Sequence, residues 1–167
     1  DEIPTPDEMV ESVHRVRGGS LFALAFAAPS VLEQGELGAR MDEAEEAIAR
    51  LGTAFQIVDD LTDFEFDVGR RSHNLLVSEI HHGGSPEERA ALAAMWEGGP
   101  VPSGAVEGLF ANSARAVLER AYAEARASFA TLQGLGHWFD PALADEVVHA
   151  IVGLEGVSRM EALTSEA

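Results

Sequence analysis

The sequence predicts an all-α fold, an antiparallel helix bundle, on three observations. Ala, Leu, Glu and Arg are plentiful, and all are strong helix formers. Apolar residues recur at helical spacing, while the strict alternation of a half-buried strand is scarce. Gly and Pro fall between the periodic segments, as they do where helices are joined by short loops. The 167 residues fit one domain spanning 1–167, and 46% hydrophobic residues suffice for a core.

The first helix opens at Pro6-Asp7-Glu8 and runs through Met9, Val10 and Val13. Proline suits a first turn, and acids suit its positive end. Gly18-Gly19 is expected to interrupt it, after which an apolar run, 21–28, continues to Pro29. Residues 34–38 read as a loop. Residues 41–63 read as one long helix with Ala44, Ala47, Ile48, Leu51, Ala54, Phe55 and Val58 on its apolar stripe. Residues 66–72 read as a polar connection around Gly69, followed by a short helix over 74–80 that His81-His82-Gly83-Gly84 closes. Ser85-Pro86-Glu87-Glu88 is a capping box with proline at the first position, and its helix runs to Trp96. A long helix is expected over 106–132. His137-Trp138-Phe139 reads as a staple packing the last helix, which starts at Asp140-Pro141 and runs to about Leu163.

The net charge is −18, from 29 acids against 11 basic residues, every one an arginine. That balance lacks the basic footprint of a nucleic-acid binder and disfavours anionic membranes. With no cysteine there are no disulfides or thiolate metal sites, which suits a reducing cytoplasm. The start, Asp1-Glu2-Ile3-Pro4, has neither the basic nor the apolar region of a signal peptide. No apolar run reaches the roughly 18 residues of a membrane span, so a cytoplasmic protein without a transmembrane segment is expected.

The chemistry concentrates in Phe55-Gln56-Ile57-Val58-Asp59-Asp60-Leu61-Thr62-Asp63. On a helix Asp59 and Asp63 share a face one turn apart, with Asp60 beside them and Gln56 a turn before. Three carboxylates among apolar flanks repel one another and lose solvation. A divalent cation relieves both problems. Mg²⁺ takes hard oxygen ligands, often one or two carboxylates together with substrate phosphates, so the pattern points to Mg²⁺-bridged diphosphate binding.

This string resembles the second aspartate-rich motif of trans-prenyl diphosphate synthases. Upstream, Arg17-Gly18-Gly19-Ser20-Leu21-Phe22 is similar to a further segment of that family, in which a lysine and a threonine precede Leu-Phe. Arg17 and Gly18 stand in place of that lysine and threonine. The resemblance covers roughly residues 10–80 and implies the isoprenoid synthase fold, of which the chain would be the C-terminal half. It implies a Mg²⁺-dependent prenyltransferase that adds isopentenyl diphosphate to an allylic prenyl diphosphate. Asp59, Asp60 and Asp63 would be the metal ligands, and Gln56 would face the allylic substrate. Arg17 would hold a diphosphate oxygen, and Arg70 or Arg71 would replace a lysine the family carries after the motif. The family's first aspartate-rich motif has no counterpart before Arg17. The resemblance therefore implies a homodimer or pairing with a chain carrying the missing half. Two alternatives are a non-catalytic subunit or isoprenoid-binding protein of the same fold, and a class I terpene cyclase relative.

Other residues read as structural. His81 and His82 are adjacent, about 100° apart on a helix, and make a poor chelate. His14 and His149 read as packed or surface histidines, and the spacing of Asn74 and Ser78 as a chance match to a cyclase metal motif.

Overall fold

A computed structural model describes residues 2–33, 35–138 and 140–165, and no strand occurs among them. Five helical segments follow one another without a gap: α1 (Pro6–Met9), a π-helical stretch (Val10–Gly19), α2 (Ser20–Ala23), a 3-10 turn (Leu24–Phe26) and α3 (Ala27–Leu32). Thr5 and Glu8 cap the start reciprocally. The Thr5 backbone N–H, donated to Glu8 at 2.8 Å, holds that carboxyl below its usual range.

Gly18-Gly19 does not interrupt this rod, contrary to the expectation. The pair marks where it crosses α4 (Gly35–Thr62) with the two backbones in contact. A Cβ on Gly18 would lie 2.3 Å from the Gly52 carbonyl oxygen, and one on Gly52 the same distance from the Gly18 oxygen. Glycine is present here for close approach rather than for a break.

The central helix is α4, packing on the π-helical stretch, α2, α9 (Ala111–Gly134) and α10 (Pro141–Ser165). It starts at Gly35, earlier than the expected Met41, because Gly35 adopts φ +67 and lets the chain turn directly into the helix. Its stripe is buried at Ala44, Ala47, Leu51, Ala54 and Val58, and extends to Ile57 and Leu61. The larger core gathers Ile57, Leu61, Phe64, Leu76, Phe110 and Val117, and a smaller one forms around Ala44, Ala47 and Leu132.

The expected connection at 66–72 is helical. In α5 (Phe64–Arg70), Phe64 and Val68 share the buried face one turn apart, and this burial outweighs the charged residues between them. Asn74 caps α6 (Leu75–Gly83), and Ser85 with Glu88 forms the expected box on α7 (Pro86–Trp96). Glu88 also accepts from the Ser113 backbone and hydroxyl, which stitches α7 to the next long helix. That helix divides in two, α8 (Ala105–Gly108) and α9 (Ala111–Gly134), because the chain turns at Leu109-Phe110 to drive Phe110 into the core. There Phe110 meets Phe64 edge-on at 5.3 Å.

Helix α10 (Pro141–Ser165) departs from helical geometry at Gly153, with φ 76 and ψ 169, so it consists of two pieces. Arg159 fastens the second piece to the Leu61 carbonyl, to Glu65 at 3.0 Å and to Glu107 at 3.1 Å. Asp140 caps the start by accepting the Ala142 N–H. The expected aromatic staple is not seen at Trp138, which is 83% exposed, and Phe139 lies outside the described residues. The side chain of His149 is likewise outside the description. Among the described residues no helix is long and apolar enough to cross a membrane.

Replacing Gly18 by Ala should destabilise the fold by about 1–3 kcal/mol, the range for overpacking. Gly69→Ala, where nothing lies within 4 Å, should instead stabilise it by about 0.5–1 kcal/mol. Urea denaturation of both variants checks this, and equal midpoints would remove the crossing as the reason for the glycines.

Candidate functional site

The last turns of α4 separate the three aspartates. Asp59 is exposed, and its Oδ2 accepts from Gln56 Nε2 at 2.9 Å. Although α4 ends at Thr62, Asp63 donates its backbone N–H to the Asp59 carbonyl at 2.9 Å and so stays one turn on, exposed. Asp60 turns inward, as a rotation of about 100° per residue requires. It is buried, and its Oδ2 accepts the Leu75 backbone N–H at 2.5 Å and sits 2.8 Å from His14 Nε2.

Asp60 thereby ties three elements together: the π-helical stretch through His14, α4 itself, and the start of α6 through Leu75. Asn74 completes the junction. Its Nδ2 donates to the Asp60 carbonyl at 2.7 Å and to Asp67 at 3.1 Å, while its Oδ1 accepts the Leu76 N–H. Asn74 is thus a helix cap and a tether, and Ser78 is buried a turn later.

The Gly18–Gly52 crossing opens onto a crevice of about 220 Å³ lined by Phe22, Phe55, Gln56, Asp59 and Thr62 besides the glycines. Phe22 and Phe55 meet there with ring centres 5.3 Å apart. A second cavity, of about 310 Å³, lies between α4, α9 and the second piece of α10. Leu51, Ala54, Leu118, Phe129 and Met160 make it predominantly apolar. Phe55 and Val58 line both, so the polar edge of α4 adjoins a space suited to hydrocarbon.

The arginines lie elsewhere. Arg17 is exposed beside the crossing and does not line the crevice. Arg70 stacks 3.8 Å from the Phe66 ring centre. Arg71 donates to the Trp96 carbonyl at 2.8 Å and lines a separate crevice. The structure therefore brings Gln56, Asp59 and Asp63 to one edge and leaves Asp60, Arg70 and Arg71 apart from it. His81 and His82 have nearly perpendicular rings, and His82 lies 3.0 Å from the Ile3 carbonyl.

Among the described residues no group of three or more His, Cys, Asp or Glu is assembled around one metal position. Asp59 and Asp63, exposed and a turn apart, fit a Mg²⁺ ion that completes its shell with water and substrate phosphates. Asp60 does not fit such a role, because it is buried with two protein donors at one oxygen. Sequence reasoning missed the His14 partnership. The two residues are 46 apart in the chain, and no local pattern links them.

Compared with known proteins, the chain matches no family model, no curated protein and no solved structure at a significant level.

Asp60→Ala should destabilise the fold by about 2–4 kcal/mol, since it leaves the buried Leu75 N–H and His14 unpartnered. Asp59→Ala should stay within about 0.5 kcal/mol of the parent. Equilibrium denaturation of both separates a structural carboxylate from an available one.

Proposed function

We propose that this chain supplies the metal-binding edge of a Mg²⁺-dependent prenyltransferase site of the isoprenoid synthase type. Its substrates would be an allylic prenyl diphosphate and isopentenyl diphosphate. The observation that carries this reading is the edge of α4, where Gln56 and the exposed Asp59 line a crevice that shares Phe55 and Val58 with an apolar cavity. Asp59 and Asp63 are the residues that would hold Mg²⁺. The ion, when bound with diphosphate, supplies neutralising charge for a leaving group. Gln56 holds the Asp59 carboxylate in place from one turn before. The Phe22–Phe55 pair and the apolar walls exclude water, which would quench a carbocation.

Asp60 enters this reading as a positioning residue rather than a ligand. Its bonds to His14 and Leu75 set the rotation of α4 and so the direction of Asp59. Chain elongation also requires a second aspartate-rich helix facing Asp59, supplied by another segment or another chain. A second reading, a non-catalytic isoprenoid-binding protein of the same fold, is favoured by one observation: only two of the three aspartates are placed to reach a metal.

A thermal melt with inorganic pyrophosphate, with and without Mg²⁺, tests the shared core of both readings. Stabilisation should need both ligands, should reach about 2.7 kcal/mol at 100 times Kd, and should vanish in Asp59→Ala. Asp63→Ala should weaken it. A shift that survives Asp59→Ala would overturn the assignment. Release of pyrophosphate from an allylic diphosphate plus isopentenyl diphosphate, once an opposing helix is supplied, then separates the enzyme from the binding protein.

A further inference from the structure

The outer face of the N-terminal rod is apolar and uncovered. Val16, Leu21, Leu24, Val31 and Leu32 are each between 61 and 79% exposed. The rod packs on α4 from its other side, where Gly18 and Gly19 are buried and Phe22 meets Phe55. Along the outer face Arg17, Leu21, Leu24, Ala28 and Val31 follow one another at steps of four and three residues, the spacing of a seam between two helices. Single exposed apolar residues are ordinary, but a row of them along one element marks a contact surface.

Charge along the same stretch selects the partner. Residues 12–32 contain no Asp or Glu, the longest such stretch in a chain with 29 acids. At one end stands Arg17, exposed and in no ion pair among the described residues, whereas Arg15 is taken by Glu11 and Glu46. At the other end stands Glu33, also exposed and in no ion pair among the described residues. Two molecules of net charge −18 repel each other. A surface on which they meet must therefore be free of acids, except where an arginine answers them. A membrane surface suits this rod less well. Helices that lie on bilayers carry a polar face rich in Lys and Arg, while this one leads into Glu33, Glu36, Asp42 and Glu43.

We propose that the outer face of the rod is an interface with a second copy of this chain, packed antiparallel about a two-fold axis near Ala25. Arg17 and Glu33 lie eight residues to either side of Ala25, so the axis sets each Arg17 opposite the other copy's Glu33. Leu21 faces Ala28 and Pro29, and Leu24 lies at the axis beside Ala25, so large side chains meet small ones. Leu21 also lines the crevice beneath Gln56 and Asp59, and the second copy therefore adjoins that crevice. The pairing does not depend on what the crevice binds.

Sedimentation equilibrium of the full chain, from micromolar to submillimolar concentration, tests the interface. A reversible monomer–dimer equilibrium is expected. Leu24→Glu brings two carboxylates together at the axis and should weaken the dimer by about tenfold or more. Arg17→Glu should weaken it as well, and Arg17→Glu combined with Glu33→Arg should restore it, because the pair is then exchanged as a whole. Circular dichroism and melting establish that each variant is folded, and if Leu24→Glu is not, the charge exchange carries the test. A chain that stays monomeric throughout, or a dimer that folded Leu24→Glu leaves unchanged, would overturn the interface. So would a double exchange that fails to recover what Arg17→Glu loses, or a monomer that instead floats with phosphatidylcholine vesicles.

Discussion

The contact on which the arrangement depends is between two backbones, at Gly18 and Gly52. Helices with side chains at both positions would stand farther apart, at the 8–10 Å usual for packed helices or beyond. Here the missing Cβ atoms let the N-terminal rod lie directly on α4. That approach sets the depth of the crevice beneath Gln56 and Asp59 and brings Phe22 against Phe55. It also brings His14, a turn earlier on the rod, within reach of Asp60.

Asp60 uses this proximity. Three adjacent acids at a helix end would be a purely repulsive cluster if all faced solvent. The fold relieves this by turning one carboxylate inward, where a backbone N–H at the start of α6 and an imidazole receive it. The remaining two keep one exposed edge. The same three letters of sequence thus divide into one group that orders the fold and two that lie on the exposed edge.

Much of this was legible from local chemistry. The Ser85–Glu88 box and the apolar stripe of α4 each act within a turn or two of chain, and each is found where it was expected. What was not legible rests on distant partners or on glycine's double use. Gly18-Gly19 reads as a break because glycine weakens helices, and only the facing Gly52 shows it as a contact. Gly69 and its charged neighbours disguised α5, whose two buried residues are too few to make a pattern. The turn at Phe110 and the departure at Gly153 lie inside stretches read as single helices, because an isolated glycine such as Gly108 or Gly153 does not by itself show that a helix ends. The role of Asp60 depends on His14 and Leu75, which the motif does not contain.

Arg159 adds a constraint of timing. It joins the second piece of α10 to the Leu61 carbonyl and to Glu65, across 98 and 94 residues. These groups sit where α4 hands over to α5, beside the aspartate-bearing turns. At a synthesis rate of about 5–20 residues per second, this anchor follows its partners out of the ribosome by on the order of 5–20 s. During that interval the emerging chain carries the aspartates without the helix that walls the apolar cavity. The apolar cavity between α4 and α9 therefore stays open on one side until the second piece of α10 arrives, and Arg159 is what fastens that wall in place.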